Sequence, residues 1–451
     1  MPKLTAFKAY DVRGRMPDEI NDALARDIGR AYAAFVKPKR VAVGYDIRLS
    51  SPSLANALKA GLKESGVDVL DIGLWGTEGV YFATFAEGLD GGIMVTASHN
   101  PPDYNGMKFV REGSRPISAD TGLKDMAALI ESGKFPAPAA TPGTEQPLDI
   151  RKKYLEHLLG YVDLKKLKKL KVVVNAGNGG AGLIVDQIQQ YLPFEFIKVN
   201  HLPDGTFPNG VPNPMLEENR AATTEAIRRT GADVGLAWDG DYDRCFFFDE
   251  HGTFIEGYYL VGLLAEVFLK REPGARIVHD PRLTWNTIDI VRQNGGEPVL
   301  CKSGHAFIKA RMREVDGAYG GEMSAHHYFR EFSYCDSGMI PWLLVLQTIS
   351  ERGKSLSELV GERMRMFPAS GEINRHLKTD AKSVLARAQK VYEKNALSVD
   401  FTDGLSIEFP EWRFNLRGSN TEPLVRLNVE SRANEALMRE KTEELLALLD
   451  G

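Results

Sequence analysis

The sequence predicts an α/β protein with three repeated α/β units, whose sheets are parallel or mixed, and a C-terminal α+β domain. Strand-like apolar stretches alternate with amphipathic helical stretches, which is the order of parallel α/β structures. This alternation occurs three times along the chain. The length of 451 residues also exceeds one ordinary core and suggests roughly three domains at about 150 residues each.

The first unit has the order strand, helix, strand, helix, strand. Its predicted elements are Arg40–Gly44, Ser53–Gly66, Val67–Ile72, Thr77–Glu87 and Gly92–Val95. Leu54, Leu58 and Leu62 recur at helical spacing and predict one buried helix face. The last strand runs directly into a polar loop that begins at Thr96.

The second and third units repeat this order. The second comprises Lys171–Val174, Gly182–Leu192, Phe194–Val199, Glu217–Arg229 and Val234–Trp238, and the third comprises Arg276–His279, Trp285–Gln293, Glu297–Cys301, His305–Val315 and Ala318–Gly320. Each unit ends at a polar loop, and ligands of open α/β sheets bind outside the carboxyl ends of strands. The loops could therefore serve one central cleft. Chance similarity among generic strand and helix segments is the alternative.

Changes in composition mark the domain boundaries. The stretch Phe135–Thr144 is rich in proline and small residues, which indicates a surface connection, and Asp249–Gly252 predicts a closing turn. After Phe367 the pattern changes to strands Trp412–Leu416 and Leu424–Val429 and a helix Asn434–Leu449, with Asn434 as its N-cap. We predict four domains: residues 1–148, 149–253, 254–366 and 367–451.

Composition excludes several classes of protein. The chain is 43% hydrophobic and 26% charged, and its net charge of -5 gives no positive field to attract nucleic acid or anionic membranes. Residues Met1–Thr5 lack the apolar core of a signal peptide, and no apolar run approaches the ~18 residues of a membrane span. Cys245, Cys301 and Cys335 are few and widely spaced, which favours a reduced compartment. We expect a cytoplasmic protein whose oligomeric state the sequence does not fix.

Three carboxylates, Asp239, Asp241 and Asp243, alternate directly after an apolar strand. Such crowding of negative charge is unstable without a cation, and hard oxygen ligands suit Mg²⁺ or Ca²⁺. An EF-hand would require glycine where Arg244 stands and helices on both sides, so we favour Mg²⁺ on a strand-end loop. A solvated acidic turn is the alternative, but the apolar run Phe246–Phe248 indicates a buried sheet.

Ser98 lies in the loop that follows the last strand of the first unit. A serine hydroxyl can accept and return a phosphoryl group when cations neutralise the charge on the transferred oxygens. Pro101 and Pro102 prevent a helix, which presents the serine on a rigid turn. A structural loop serine is the alternative, although a hydroxyl together with a metal site is a phosphoryl-transfer pair. Adjacency alone does not make His99 a general base.

Other loops add cations and hydrogen-bonding groups. Lys108 and Arg13 could bind phosphate, and Lys302 and His305 could add a cation and a proton carrier. The alternating Glu322, Ser324 and His326 suit hydrogen bonds to sugar hydroxyls. In the C-terminal domain a phosphate could be bound by the loop residues Arg417, Ser419, Asn420 and Thr421, supported by Arg426. Each has a structural alternative as a solvated charge, a helix cap or a hairpin turn. Gly177–Gly182 matches a dinucleotide fingerprint in form, but the acid expected after the next strand is missing, so we favour a tight helix entry.

With these motifs assembled, the chain resembles the α-D-phosphohexomutase family, and most closely its bacterial phosphomannomutase/phosphoglucomutase branch. The resemblance covers nearly the full length and rests on the motifs T-A-S-H-N-P, D-G-D-x-D-R, G-E-M-S and R-x-S-N-T in this order. It implies four domains around one cleft, a phosphoserine at Ser98, and Mg²⁺ held by Ser98, Asp239, Asp241 and Asp243. Similar short motifs suggest Arg13, Lys108, Lys302 and His305 as further cleft residues. We predict Ser98, Lys108, His305 and Arg13 as the catalytic residues, with His305 and Lys108 as candidate proton carriers because they are titratable or cationic.

The same resemblance implies a set of substrate ligands and a reaction. The predicted ligands are His99, Arg244, Lys302, Glu322, Ser324, His326, Arg417, Ser419, Asn420, Thr421 and Arg426. The implied reaction interconverts mannose 1-phosphate and mannose 6-phosphate through a phosphoserine and a hexose 1,6-bisphosphate, with glucose phosphates as further substrates. A mainly glucose-specific mutase, a metal-dependent sugar phosphatase and a non-catalytic sugar-phosphate-binding protein are the alternatives.

The chain departs from the family pattern at one visible position. Many relatives have glycine where this chain has Ala325, which leaves the backbone freedom of the sugar loop, and with it the epimer preference, open. Met323 favours the mannose/glucose branch over the glucosamine branch, where glutamine is usual.

Overall fold

The computed structural model describes residues 4–377, 380–418 and 424–450. The chain divides into two compact units. The N-terminal unit comprises Met1–Phe254 and His326–Gly353, and the C-terminal unit comprises Ile255–Ala325 and Lys354–Gly451. No helix within the described ranges combines the length and apolarity that a membrane span requires.

The first sheet lies in the N-terminal unit. Its elements are β1 (Val12–Arg15), α1 (Asp22–Val36), β2 (Arg40–Tyr45), α2 (Ser51–Glu64), β3 (Asp68–Leu74), α3 (Thr77–Ala86), β4 (Gly91–Val95), β5 (Tyr104–Arg111), β6 (Arg115–Pro116), α4 (Leu123–Ser132) and β7 (Glu145–Pro147). The strand order is β1-β5-β4-β2-β3-β7, with β6 paired to β5. The central strands pack buried apolar residues such as Val41, Val43 and Ile93 against the predicted face of α2, including Leu54, Leu58 and Leu62.

The second sheet belongs to the same unit. Its elements are α5 (Arg151–Leu159), β8 (Lys171–Asn175), α6 (Ala181–Ile188), β9 (Glu195–Val199), α7 (Ala221–Thr230), β10 (Val234–Trp238) and β11 (Cys245–Phe248), followed by β12 (Phe254–Ile255) at the unit boundary. The strands pair in the order β11-β10-β8-β9. Every residue of β10 and β11 is buried, which explains why these strands are apolar runs. The segment Gly177–Gly180 forms the turn into α6.

The third sheet lies in the C-terminal unit. Its elements are α8 (Gly257–Arg271), β13 (Arg276–His279), α9 (Trp285–Gln293), β14 (Glu297–Leu300), α10 (His305–Val315) and β15 (Tyr319–Gly321). The strands pair in the order β14-β13-β15. The next elements, β16 (His327–Phe329), β17 (Cys335–Asp336) and α11 (Ile340–Arg352), belong to the N-terminal unit, where β16 and β17 are antiparallel.

The remaining elements complete the C-terminal unit. They are α12 (Leu356–Met366), β18 (Ile373–His376), α13 (Ala381–Tyr392), β19 (Ser398–Asp400), β20 (Leu405–Glu408), β21 (Trp412–Gly418), β22 (Leu424–Ser431) and α14 (Glu435–Asp450). The sheet order is β18-β22-β21-β20-β19, and the pairs are antiparallel. Asn434 caps α14 as predicted, because its Oδ1 accepts a hydrogen bond of 3.0 Å from the Leu437 N–H.

The topology confirms the predicted repeat. In each repeat the last strand lies beside the first strand, and the first strand lies beside the second, with parallel pairing throughout. The three orders are β4-β2-β3, β10-β8-β9 and β15-β13-β14. The carboxyl ends of β4, β10 and β15 therefore occupy equivalent places in three sheets. The predicted fold class, three α/β repeats followed by an α+β domain, is confirmed.

Candidate active site

The predicted site residues follow equivalent strands at equivalent positions. The strands β4, β10 and β15 end at Val95, Trp238 and Gly321. Three residues beyond these ends lie Ser98, Asp241 and Ser324, respectively. The carboxyl ends of parallel strands are the usual ligand sites of α/β sheets. The repeat therefore places a hydroxyl, a carboxylate and a second hydroxyl at corresponding points of three loops.

The Ser98 loop holds its serine in a strained conformation. Ser98 has φ 48°, in the left-handed region that residues other than glycine rarely adopt. Its backbone N–H donates to Thr96 Oγ1 at 3.0 Å, and its hydroxyl donates to Asp239 Oδ2 at 2.8 Å. The side chain of Ser98 is therefore directed at the acidic loop.

A buried arginine maintains this turn. The guanidinium of Arg48 donates to four carbonyl oxygens, those of Ser98 at 2.9 Å, Asn100 at 2.6 Å, Pro101 at 2.7 Å and Tyr104 at 2.9 Å. The backbone N–H of Arg48 donates to Asp46 Oδ1 at 3.0 Å. Our sequence reasoning missed Arg48, although Tyr45–Arg48 repeats the Y-D-x-R pattern of Tyr10–Arg13. That internal repetition was the available signal.

We expect Arg48→Met to destabilise the protein by about 3–5 kcal/mol, because Asp46 and the loop carbonyl groups would lose their buried partner. Urea unfolding of the two proteins would measure the difference. Arg111→Met is the control, since Arg111 is exposed on β5 and its guanidinium pairs with the exposed carboxylate of Glu112. A loss below about 1 kcal/mol at Arg48 would contradict this role.

The acidic loop has the donors of a metal site. Asp239, Asp241 and Asp243 are at most 2% exposed, and their candidate ligand atoms lie within 4.8 Å of one another. The Oδ1 atoms of Asp241 and Asp243 are buried and have no hydrogen-bond partner in the described chain. Burial and the charge of Asp241 raise the pKa of Asp243, so the loop favours a further cation. An all-oxygen donor set with unsatisfied oxygens fits a hard divalent cation.

Close contact between the two loops depends on Gly240. A Cβ atom at this position would lie 2.6 Å from the Ser98 carbonyl oxygen, far inside van der Waals contact. The glycine between the first two aspartates therefore lets the acidic loop approach the serine loop.

Lys108 supplies fixed positive charge beneath this loop. Its Nζ lies 2.7 Å from Asp241 Oδ2 and 2.6 Å from Asp243 Oδ2, and the side chain is buried. Burial favours the neutral amine, but Asp241 and Asp243 outweigh that effect and raise the pKa of Lys108. Lys108 is therefore an ammonium ion at neutral pH. The sequence prediction that Lys108 lies near the strand end of Ser98 agrees with its place on β5, next to β4.

Arg244 and His99 flank the serine. Arg244 contacts Asp239 Oδ2 through Nε at 2.8 Å and through Nη2 at 2.7 Å. Its Nη2 also donates to His99 Nδ1 at 2.5 Å, and His99 Nδ1 lies 3.2 Å from Ser98 Oγ. Burial and the neighbouring guanidinium lower the pKa of His99 well below its usual value, so the ring is neutral.

Two further predicted residues lie in the same unit. Arg13 donates to Asn100 Oδ1 at 2.5 Å and to the Ala97 carbonyl at 3.3 Å, so it contacts the serine loop. His326 Nε2 lies 3.8 Å from Asp243 Oδ1. The N-terminal unit thus brings together a hydroxyl, three carboxylates and several cations from separate stretches of sequence: Arg13, Ser98, His99, Lys108, Asp239, Asp241, Asp243, Arg244 and His326.

Two residues of the predicted sugar loop, which comprises residues 321–326, lie in the C-terminal unit: Glu322 and Ser324. Glu322 Oε1 accepts a hydrogen bond of 2.8 Å from the Gly304 N–H, and Ser324 Oγ accepts one of 3.1 Å from Arg282 Nη2. Arg282, which our sequence reasoning also missed, is buried and pairs with Asp280 at 2.7 Å. Asp280–Arg282 follows β13 as Asp46–Arg48 follows β2. In both segments the backbone N–H of the arginine donates to Oδ1 of the aspartate two residues earlier.

Ala325 adopts a conformation that glycine would reach without strain. Its φ of 67° lies in the left-handed region, and its backbone N–H closes a turn onto the Glu322 carbonyl at 3.0 Å. The alanine therefore stiffens the sugar loop without changing the sense of the turn. The predicted site residues Lys302 and His305 lie in the same unit. His305 begins α10, and Lys302 is exposed with its Nζ 5.0 Å from the centre of the Phe307 ring.

The predicted phosphate loop is described only at its two ends. Arg417 on β21 and Arg426 on β22 are directly paired positions of neighbouring strands. Both approach the carboxylate of Glu372, Arg417 at 3.2 Å and Arg426 at 3.5 Å. Ser419, Asn420 and Thr421 lie outside the described residues.

Sequence models of four domains described as phosphoglucomutase/phosphomannomutase match this chain. They are the alpha/beta/alpha domains I, II and III at residues 4–136, 152–252 and 256–367, and the C-terminal domain at residues 372–447. A phosphomannomutase of Escherichia coli is 59% identical over 456 residues, which is 100% of both chains. A Xanthomonas campestris protein named phosphohexose mutases is 59% identical over 99% of this chain and 100% of its own.

A solved structure supports the same grouping. A phosphoglucomutase/phosphomannomutase family protein from Burkholderia thailandensis is 33% identical to this chain and superposes with a TM-score of 0.89. The match covers 99% of this chain and 98% of that one. The similarity therefore extends through all four domains rather than one shared sheet.

Proposed function

Because this chain belongs to the phosphoglucomutase/phosphomannomutase family, we propose that it interconverts mannose 1-phosphate and mannose 6-phosphate. The proposal extends to the corresponding glucose phosphates. The observation that supports it is the hydrogen bond of 2.8 Å between the Ser98 hydroxyl and Asp239, because a hydroxyl beside a cluster of buried carboxylates suits metal-assisted phosphoryl transfer. The resemblance inferred from the sequence motifs is confirmed at the level of the family.

In the proposed reaction Ser98 carries a phosphoryl group that passes to the free hydroxyl of a hexose monophosphate. The bond from phosphorus to Ser98 Oγ breaks and a bond to the sugar oxygen forms. The sugar hydroxyl loses its proton to a base, and Ser98 Oγ takes up a proton to become a hydroxyl again. The product is a hexose 1,6-bisphosphate. Transfer of its other phosphoryl group back to Ser98 then gives the isomeric monophosphate.

The charged residues of the N-terminal unit suit this transfer. Lys108, Arg244 and Arg13 supply positive charge to a dianionic phosphoserine. We propose Mg²⁺ as the cation, held by Asp239, Asp241, Asp243 and the group on Ser98, where it would neutralise charge on the transferred oxygens. The Oδ1 atoms of Asp241 and Asp243, which have no hydrogen-bond partner among the described residues, support this assignment.

The remaining predicted residues have proposed roles in substrate binding. Glu322, Ser324 and His326 would bind sugar hydroxyls, and Arg417, Ser419, Asn420, Thr421 and Arg426 would bind the phosphate that is not being transferred. This second group must accept either end of the bisphosphate, since the intermediate presents both phosphates in turn. We propose His305 and Lys108 as proton carriers, with Lys302 and His99 as further substrate ligands.

A single reaction distinguishes this proposal from its alternatives. The protein would be incubated with mannose 1-phosphate, Mg²⁺ and a trace of glucose 1,6-bisphosphate, and the products followed by phosphorus NMR. We expect mannose 6-phosphate without inorganic phosphate. Stoichiometric inorganic phosphate would identify a phosphatase, and no conversion would leave a binding protein. The ratio of kcat/KM for mannose 1-phosphate and glucose 1-phosphate would identify the main substrate.

We also propose domain boundaries and a location. The proposed domains are residues 1–148, 149–253, 254–366 and 367–451, and strands β1–β7, β8–β11, β13–β15 and β18–β22 fall within these four ranges in turn. Cys245, Cys301 and Cys335 form no disulfide bonds and are buried, which supports function in a reducing compartment such as the cytoplasm.

A further inference from the structure

The carboxylate of Glu372 lies among three guanidinium groups of the C-terminal unit. Its Oε2 is 3.2 Å from Arg417 Nη2 and 3.4 Å from Arg282 Nη1, and its Oε1 is 3.5 Å from Arg426 Nη1. The side chain of Glu372 is only 7% exposed. One buried carboxylate is therefore shared by three cations, including both described arginines of the proposed phosphate site.

Cross-strand pairing explains why a carboxylate is needed here. Arg417 and Arg426 face each other on β21 and β22, and like charges at directly paired positions repel. Burial favours the neutral form of Glu372, but the three arginines outweigh that effect and lower its pKa. Glu372 is therefore anionic at neutral pH and neutralises the repulsion between the paired arginines.

The contacts of Glu372 are long for ion pairs. A tight hydrogen bond between charged groups measures about 2.7–2.9 Å, a length that Arg282 reaches with Asp280 at 2.7 Å. None of the three contacts of Glu372 reaches it, and Arg417 lies 3.4 Å from its other carboxylate partner, Asp403. A phosphate offers three acceptor oxygens and can bind arginine through two short, parallel hydrogen bonds. A phosphate would therefore compete well for Arg417.

We propose that Glu372 is the counter-ion that substrate phosphate displaces at Arg417 and Arg426, and that it thereby limits how tightly a hexose phosphate binds. The inference rests on the proposed function, in which one phosphate site must bind and release both ends of a bisphosphate. A carboxylate that competes for the same guanidinium groups keeps that binding reversible. Glu372 is thus a positioning residue that acts through the two arginines.

Equilibrium binding tests this role without turnover. Mannose 1-phosphate would be titrated calorimetrically, in the presence of Mg²⁺, into Ser98→Ala and into Ser98→Ala/Glu372→Gln. We expect Glu372→Gln to lower Kd about tenfold, because one like charge beside the bound phosphate is removed. Glu443→Gln makes the same change in net charge at an exposed position of α14 and should leave Kd within about twofold.

Kinetics in the otherwise unchanged chain separate this role from a structural one. Glu372→Gln should lower KM and kcat together, because tighter binding slows release. An equal or higher Kd, with an unchanged thermal unfolding midpoint, would overturn the inference. If Glu372→Gln does not fold, Asp403→Asn takes its place, because Asp403 is the other carboxylate near Arg417. Its Kd for mannose 1-phosphate should be about threefold lower, and an unchanged Kd would overturn the inference. Failure of the proposed function would appear separately, as absence of mannose 6-phosphate with the unaltered protein.

Discussion

Ser98→Ala is expected to reduce conversion of mannose 1-phosphate by roughly 10⁴-fold or more, the scale of loss when a covalent nucleophile is removed. The alanine has no oxygen to carry the phosphoryl group, and Ser98 is the residue whose hydroxyl donates to Asp239 of the candidate metal site. Coupled assay of mannose 6-phosphate would measure the loss. Intact mass after incubation with glucose 1,6-bisphosphate should show one added phosphate on the unaltered protein and none on Ser98→Ala.

The protein should stay folded after this substitution, so lost activity would report the missing phosphate carrier rather than unfolding. Ser132→Ala, at an exposed position at the end of α4, is the matched control and should retain full activity. Substantial turnover by Ser98→Ala, or a phosphate on another residue, would refute the assignment of Ser98 as the carrier.

Asp241→Asn is expected to have the second largest effect, a loss of roughly 10³-fold in turnover together with weakened Mg²⁺ binding. The estimate corresponds to several kcal/mol of charge stabilisation from a metal ion. Asp241 Oδ2 accepts hydrogen bonds from Lys108 and Thr77, whereas its Oδ1 has no partner in the described chain. An amide at this position reduces the charge offered to the cation and leaves Lys108 with one carboxylate fewer.

Activity as a function of Mg²⁺ concentration, with calorimetric titration of Mg²⁺, would measure this effect. Asp125→Asn, an exposed carboxylate on α4, removes the same charge outside the loop and serves as the control. Urea unfolding would show whether the core remains intact, since the variant also alters a buried ion pair. Unchanged Mg²⁺ dependence in a folded variant would exclude Asp241 as a metal ligand.

The strands and most helices were accessible from sequence because their apolar residues are spaced for burial. Three elements of the third repeat, Arg276–His279, Trp285–Gln293 and His305–Val315, have the bounds that the sequence predicts. Helix α7 begins at Ala221 rather than Glu217, because residues Glu217–Asn219 form a separate 3₁₀ turn. Helix ends depend on local hydrogen bonds that hydrophobic periodicity does not report.

The candidate site was predictable where a motif follows a strand end. Ser98 and the three aspartates are such residues, and the structure brings them together although more than 130 positions separate Ser98 from Asp239. Arg48 and Glu372 were missed because their partners are carbonyl groups or arginines from distant stretches of the chain. Backbone carbonyl groups occur at every residue and leave no signal in a sequence. Such contacts become visible only when the chain is folded.

The shared position of Ser98, Asp241 and Ser324, three residues past equivalent strands, has a consequence for how this scaffold can change. The backbone of each repeat fixes the place of the residue at that position, so its chemistry can differ between repeats while the topology stays the same. The Asp-x-Arg pairs after β2 and β13, Asp46 with Arg48 and Asp280 with Arg282, show the same correspondence between the first and third repeats. Different chemistry at this position thus requires point changes on one scaffold rather than a different fold.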